Sequence, residues 1–171
     1  SKTGHNVAGD VEHKVPSAKN RNLHFDWDNL TLACPECNRR KNAYYEEGNE
    51  FLDPYSDDVE TRLLHVGPLV YWAPGDPRAE LTVRYLELDS FKKRMPLIQR
   101  KLDTLEKARA LLDSLESACS EILSALRRSE LDRMHDVRAE YSAMIRTFVL
   151  QARNATGTTT PSIQPKTERS T

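Results

Sequence analysis

The feature that most constrains this chain is the shortness of the apolar stretches in its first third. Residues 1 to 53 are polar and loop-rich, with one apolar stretch around Val11 and another from Leu30 to Ala33. Each stretch is long enough for a short β-strand. The sequence from Pro35 reads as a short helix that ends at Gly48, because glycine commonly follows the last turn of a helix. This segment therefore predicts strand, loop, strand and helix.

The remainder of the chain predicts a β-hairpin followed by two helices. Leu69–Trp72 and Leu81–Leu86 alternate in polarity on either side of a turn at 74–77, which is typical of a hairpin. Apolar residues then recur at helical spacing, at Ile98, Leu102, Leu105, Leu112, Leu115, Ile122 and Leu126. A break near 127–130 leads into a second periodic stretch, so the two helices could fold back as a helical hairpin.

The charge balance limits how this chain could bind nucleic acid. Lysine and arginine total 25 against 26 aspartates and glutamates, so the formal net charge is -1. Proteins that grip nucleic acid alone usually carry a basic excess, because phosphate neutralisation supplies most of their affinity. Any nucleic-acid binding should therefore be weak, local or assisted by a partner.

The composition also indicates a compartment. No apolar run approaches the roughly 20 residues that a membrane span needs. Three cysteines, two of them in a Cys-x-x-Cys pair, do not build a disulfide framework and suit a reducing compartment with metal chemistry. We expect a cytoplasmic protein that contacts no membrane.

Glu12 and His13 have the side chains that phosphodiester hydrolysis needs. His13 can act as a general base, because the reference pKa of histidine lies near 6.5 and general-base catalysis contributes about 100-fold to 10,000-fold. Glu12 supplies a carboxylate directly beside it. Adjacent side chains on a flat strand point to opposite faces, so the pair requires a strand end or bend to reach one phosphate.

The segment after Cys37 adds a metal ligand and positive charge. The amide oxygen of Asn38 and the carboxylate of Glu12 are hard ligands, which favour Mg²⁺ or Mn²⁺. Basic side chains follow in the same predicted helix, where the helix N-terminal dipole would also attract phosphate. The predicted substrate-binding residues are Lys14, Arg39, Arg40 and Lys41.

The order Glu-His, Asn-Leu and Cys-x-x-Cys-Asn-x-x-Lys resembles the HNH endonuclease signature in its His-Asn-Asn variant, over roughly residues 10 to 50. The spacing of Asn29 and Asn38 is similar to that in the HNH domain of CRISPR effectors. The resemblance implies a ββα-metal fold in which Glu12 and Asn38 bind the metal. It also implies that His13 is the general base and that Asn29 orients this base or its loop.

A second resemblance concerns the rest of the chain. Residues 49–58, followed by a hairpin and helices, are similar to HNH proteins of the Septu and retron-associated antiphage systems, which work beside an ABC-type ATPase. This implies an ATPase partner and a nucleic-acid substrate, with DNA favoured and RNA as the alternative. We therefore predict an α+β fold whose parts are a ββα-metal nuclease module at 1–53, a β-hairpin extension at 54–90, a helical partner-binding region at 91–153 and a disordered tail at 154–171.

The role of Cys34 and Cys37 stays open at this point. A closed structural zinc site needs four ligands, and the sequence supplies only these two cysteines near the site. An upstream pair could precede Ser1, His5 and another group could substitute, or the two cysteines could simply pack. A non-catalytic zinc knuckle that binds nucleic acid is therefore one alternative function, and a partner-binding adaptor is another.

The remaining aromatic and histidine residues receive structural roles. We expect Trp27 and Tyr44 to pack the small ββα core rather than to stack on bases. His24, His65 and His135 are expected to be structural or solvated, and Cys119 is expected to pack as a small core residue.

Overall fold

The structure, a computed structural model, describes residues 9–117 and 120–155. The disordered tail predicted at 154–171 falls almost entirely outside these ranges, as do His5 and Cys119. The strands are β1 Asp10–His13, β2 Leu30–Ala33, β3 Leu63–Val66 and β4 Leu69–Trp72. The helices are α1 Pro35–Lys41, α2 Val59–Arg62, α3 Pro77–Tyr85, α4 Met95–Glu116, α5 Glu121–His135 and α6 Ser142–Ala155. This mixture of helices and two small antiparallel sheets confirms the predicted α+β class.

The first sheet confirms the order strand, loop, strand and helix. β1 and β2 are antiparallel, with Glu12 opposite Thr31 and His13 opposite Leu30. α1 follows directly, since the Cys34 sulfur accepts from the Cys37 amide and Pro35 occupies the first turn. The helix ends at Lys41 rather than at Gly48 as predicted.

The early end of α1 has a backbone cause. Asn42 adopts a φ of 47°, outside the right-handed helical region, while its N–H still closes the last turn on the Asn38 carbonyl. Asparagine tolerates positive φ better than most residues, because its short polar side chain adapts to that backbone conformation.

The hairpin prediction named one wrong strand. β3 pairs with β4 around Gly67, whose φ of 56° suits the tight turn, and the predicted strand Leu81–Leu86 lies mainly in α3. A local signal outweighs the period-2 pattern there, because the Asp76 side chain accepts from the Ala79 amide and Pro77 occupies the first turn. The residues that α3 buries are Ala79, Thr82 and Val83, at helical spacing.

Within its described residues, the C-terminal region contains three helices rather than the predicted two. The long helix α4 ends at Glu116, and α5 begins after Ser120, so the break precedes the predicted position at 127–130. The apolar positions at Ile122 and Leu126 continue the spacing of α4, yet they are exposed on α5. Among the residues that the structure describes here, Ala108, Leu131, Met144, Ile145 and Val149 form a buried core.

The segment between the first sheet and the helices is tied to α3. Arg78 donates to the carbonyls of Glu50 and Phe51 and to the carboxylate of Asp57. The buried Thr82 hydroxyl accepts from the Leu52 amide at 2.9 Å. These contacts fix the chain that follows α1 against the second half of the fold. In the described ranges, no helix has the length and apolar character needed to cross a membrane.

Candidate functional site

A cavity lies between the first sheet, α1 and the segment at 50–56. Its volume is about 560 Å³, and its lining includes the predicted metal ligands Glu12 and Asn38. His13 is not among the described residues that line it. Glu12 therefore lines this cavity and His13 does not, as expected for neighbouring residues of a strand, whose side chains point to opposite faces.

Glu12 is held by a buried ion pair. Its Oε1 accepts from Lys41 Nζ at 2.6 Å, and the side chains of Glu12 and Lys41 are only 12% and 11% exposed. Lys41 also donates to the His13 carbonyl at 2.7 Å. Lys41 is thus an internal group that positions the carboxylate and the backbone of β1. Its ammonium group is already paired with Glu12, and its role as a phosphate binder stays a prediction.

Asp10 is a site residue that sequence reasoning missed. The Asn38 amide nitrogen donates to Asp10 Oδ2 at 3.1 Å, which turns the Asn38 amide oxygen toward other partners. Asp10 precedes Glu12 by two positions on β1, so both carboxylates project from the same face of the strand. That two-residue spacing was the available signal.

The donor atoms around Asn38 suit a hard divalent cation. Asp10, Glu12 and Asn38 supply carboxylate and amide oxygens, the ligand type that Mg²⁺ and Mn²⁺ prefer. Over the described ranges, no group of three His, Cys, Asp or Glu side chains is placed to hold a metal ion. A cation here would therefore depend on the Asn38 amide, and water and phosphate oxygens would complete its coordination.

His13 is oriented by the loop that joins β1 to β2. Its Nε2 lies 2.9 Å from the His24 carbonyl oxygen. A carbonyl can only accept, so we assign the hydrogen to Nε2, and the neutral ring then carries its lone pair on Nδ1. The His24 ring stacks on the His13 ring at 4.7 Å between centroids. His24 is therefore a neighbour of the candidate base, a contact that no pattern in the sequence indicated.

Asn29 is buried and closes the same loop. It is 5% exposed, and its amide oxygen accepts from the Val15 amide at 2.7 Å. Its amide nitrogen donates to the carbonyls of Val15 and Leu23, each at 3.0 Å. The side chain thus joins the two ends of the loop that supplies the His24 carbonyl.

The other predicted phosphate-binding residues already have acidic partners. Lys14 pairs with Asp53 at 2.7 Å, and Arg39 pairs with Glu36 at 2.8 Å. Arg40 bridges Glu36 and a second carboxylate on Glu87. Of these three basic side chains, that of Arg39 is the most exposed.

The prediction that the helix N-terminal dipole attracts phosphate together with this basic cluster is wrong. The basic cluster 39–41 lies in the last turn of α1, because the helix begins at Pro35 and contains seven residues. The positive end of the helix dipole is at the opposite terminus. The cluster instead stabilises the C-terminal end of its own helix.

Cys34 and Cys37 lie against a buried arginine. Arg94, which is 7% exposed, donates to Cys37 Sγ at 3.4 Å and to Cys34 Sγ at 3.9 Å. The hydrogen bond from Cys37, with a smaller contribution from Arg94, lowers the pKa of the Cys34 thiol to about 5. The hydrogen bond to Cys34, together with burial, raises the pKa of Cys37. The pair thus resembles a thiolate and a thiol beside a guanidinium.

This arrangement does not fit a closed zinc site. Zinc needs four ligands, and the described residues bring only two sulfurs together with a fixed cation. The Arg94 guanidinium is held by the Leu86 carbonyl at 2.6 Å and by the Glu87 carbonyl at 3.3 Å. Among the described residues, the cysteine pair therefore anchors α1 to the segment before α4.

The Asn29 side chain should stabilise the loop both by donating and by accepting hydrogen bonds. In Asn29→Asp the carboxylate can accept from Val15 but cannot donate to the two carbonyls, and a charge is buried. We expect the free energy of unfolding to fall by about 2 kcal/mol or more. Asn22→Asp, an exposed change in the same loop, is the control and should stay within about 0.5 kcal/mol of wild type. Equal unfolding curves for the two variants would contradict this role.

Arg94 gives a second prediction about stability. Arg94→Met removes the hydrogen bonds that the buried guanidinium donates to both sulfurs and to the Leu86 and Glu87 carbonyls, so the free energy of unfolding should fall by about 2 kcal/mol. Arg109→Met, on the exposed surface of α4, should change little. Elemental analysis of protein purified without chelator should find no stoichiometric zinc. One zinc per chain that disappears in Cys34→Ser would show that the sulfurs bind metal instead.

Comparison with known proteins adds one result. Residues 2–43, which are 42 of the 171 residues, match the family model described as HNH endonuclease. No curated protein and no solved structure matches the chain. The matched segment contains β1, the loop, β2 and α1, together with Glu12, His13, Asn29 and Asn38. It supports an HNH endonuclease domain in this part of the chain, and with it nuclease activity on a nucleic-acid substrate.

Proposed function

We propose that the chain is a metal-dependent endonuclease in which His13 is the general base, with DNA as the favoured substrate. The observation that carries this proposal is the contact between His13 Nε2 and the His24 carbonyl. It fixes the tautomer that leaves the Nδ1 lone pair able to accept a proton. A general base is effective when its orientation is fixed in this way.

The proposed reaction uses this orientation directly. Nδ1 of His13 accepts a proton from a water molecule, whose oxygen attacks the phosphorus. The bond between phosphorus and the 3′ oxygen breaks, and the leaving 3′ oxygen takes a proton from solvent water, which gives a 5′-phosphate and a 3′-hydroxyl. The imidazolium formed keeps its Nε2–H on the His24 carbonyl, so the base need not reorient during proton transfer.

Two of the three candidate oxygen ligands lie on the same strand as the base, and the third lies on α1. Asp10, Glu12 and Asn38 would hold Mg²⁺ or Mn²⁺, which would neutralise charge on the phosphate and on the leaving oxygen. Lys41 holds the Glu12 carboxylate in place through their ion pair. Since Glu12 and His13 are the last two residues of β1, the scissile phosphate would lie across the end of that strand.

We propose further that the chain works beside an ATPase in an antiphage system. The net charge of -1 supports this, because the chain alone offers little of the positive charge that sustains tight nucleic-acid binding. α5 also exposes Ile122, Leu123 and Leu126, which the core of the helical region leaves uncovered. An exposed apolar face on one helix is a common form of docking surface.

The alternative of a non-catalytic zinc knuckle has less support. It would explain the two cysteines, but their sulfurs already accept hydrogen bonds from Arg94. It also gives no role to the orientation of His13 by the His24 carbonyl.

The catalytic assignment is tested by metal-dependent nicking of plasmid DNA. His13→Ala should lower the rate by about 100-fold to 10,000-fold, the usual contribution of a general base. Thermal unfolding should hardly change, because the lost hydrogen bond is exposed. His24→Ala keeps the backbone carbonyl, so it should retain far more activity than His13→Ala. Cleavage by His13→Ala at the wild-type rate would rule out this base.

The metal ligands should show a different signature in the same assay. Glu12→Gln, Asp10→Asn and Asn38→Ala should shift half-maximal activity to higher Mg²⁺ or Mn²⁺ concentration, with partial rescue at high metal. His13→Ala should not be rescued in this way. An unchanged metal dependence in all three variants would show that these side chains are not ligands.

The partner proposal is best tested with point variants. Deleting residues 91–153 would also remove Arg94 and so disturb the N-terminal site. We expect Ile122→Glu and Leu126→Glu to abolish co-purification with an ATPase encoded beside this chain, while the unfolding temperature stays unchanged. Val137→Glu, an exposed change outside α5, is the control. Rapid cleavage by the isolated chain at physiological salt, with no ATPase retained by wild type, would contradict the proposal.

A further inference from the structure

The loop between β1 and β2 exposes two large aromatic side chains. Phe25 is 90% exposed and Trp27 is 84% exposed. The prediction that Trp27 packs the ββα core is therefore wrong. The 3₁₀ turn Trp27–Asn29 buries Asn29 and leaves the indole in solvent, and Asp26 caps that turn through the Asp28 amide.

The Phe25 ring continues a series of ring contacts that begins at the candidate base. The His24 ring stacks on His13, and the Phe25 ring meets His24 edge-on at 4.4 Å between centroids. The backbone beneath them is ordered, since the Asp26 amide donates to the Leu23 carbonyl at 3.2 Å. Phe25 is thus held within two ring contacts of His13 while most of its surface stays open.

The charges of the loop indicate which part of a nucleic acid would meet the rings. Lys19 and Arg21 are exposed earlier in the loop and would attract phosphates. Asp26 and Asp28 are the sequence neighbours of the two aromatic residues, and their carboxylates would repel phosphates. The aromatic end of the loop is therefore suited to bases rather than to the sugar-phosphate backbone.

We propose that Phe25 and Trp27 form a stacking surface for unpaired nucleobases beside the scissile phosphate. The proposal rests on the proposed nuclease function and names its substrate class, a nucleic acid with a single-stranded segment. Bases inside a duplex have their faces covered by neighbours, whereas unpaired bases stack on aromatic side chains with little dependence on sequence. A nucleobase fits better than a protein partner because the Phe25 ring is connected to His13 through His24, and because two exposed cations precede both aromatic residues in the loop.

The test uses the full chain with Trp72→Phe, so that Trp27 is the sole tryptophan. The chain is titrated at low salt and without divalent metal with short oligothymidylate, with an abasic oligomer of equal length, and with a duplex. We expect oligothymidylate alone to quench Trp27 fluorescence strongly. Anisotropy of labelled oligothymidylate should show about tenfold weaker binding for Phe25→Ala and for Trp27→Ala.

Two controls separate stacking from general surface effects. Val137→Ala removes a similarly exposed apolar side chain elsewhere and should bind like wild type. Trp27→Phe keeps an aromatic face and should recover most of the affinity that Trp27→Ala loses.

The outcomes separate this proposal from the nuclease assignment. If Phe25→Ala and Trp27→Ala bind like wild type, if the abasic oligomer or the duplex binds as tightly, or if no oligomer binds, the stacking surface is wrong. Plasmid nicking that depends on His13 would still support the nuclease in each of those cases. Trp27-dependent binding by a chain that never cleaves would support stacking and overturn the nuclease.

Discussion

The buried ion pair between Lys41 and Glu12 is the contact on which the N-terminal site depends. Two charges removed from water are stable together only when they meet with good geometry, so α1 has to lie against β1 where they pair. That placement sets Asn38, one helical turn earlier, beside Asp10. The same lysine holds the His13 carbonyl, and so links the strand end that carries the candidate base to the helix that carries a candidate ligand.

The sequence was sufficient for the local elements of this site and insufficient for its neighbours. Short apolar stretches predicted β1 and β2, and the segment from Pro35 to Gly48 predicted a helix where α1 lies. His24 gave no signal, because a backbone carbonyl can come from any residue type. Trp27 was misplaced because an aromatic residue in a small module normally packs inward, and only the turn that buries Asn29 shows otherwise.

The spacing of apolar residues gave wrong predictions in two places. In one, the same residues fit both a strand and a helix, and in the other the helical spacing continues across the break between two helices. Leu81–Leu86 alternates like a strand, yet the buried positions of α3 also satisfy helical spacing, and the Asp76 cap decides the outcome. Ile122 and Leu126 keep the spacing of α4 although the chain has already turned before α5. Arg94 was not predicted as a neighbour of the site, because no sequence pattern connects one arginine with two cysteines far away along the chain.

The contact of Arg94 with Cys34 and Cys37 has a thermodynamic consequence for binding at the N-terminal site and at α4. Asn38 directly follows Cys37, and α4 begins directly after Arg94, so one guanidinium couples a candidate metal ligand to the start of the helical region. A molecule that displaces α4 would change the affinity of the N-terminal site through this coupling. Linkage then requires that occupancy of the N-terminal site change the affinity for that molecule by the same factor.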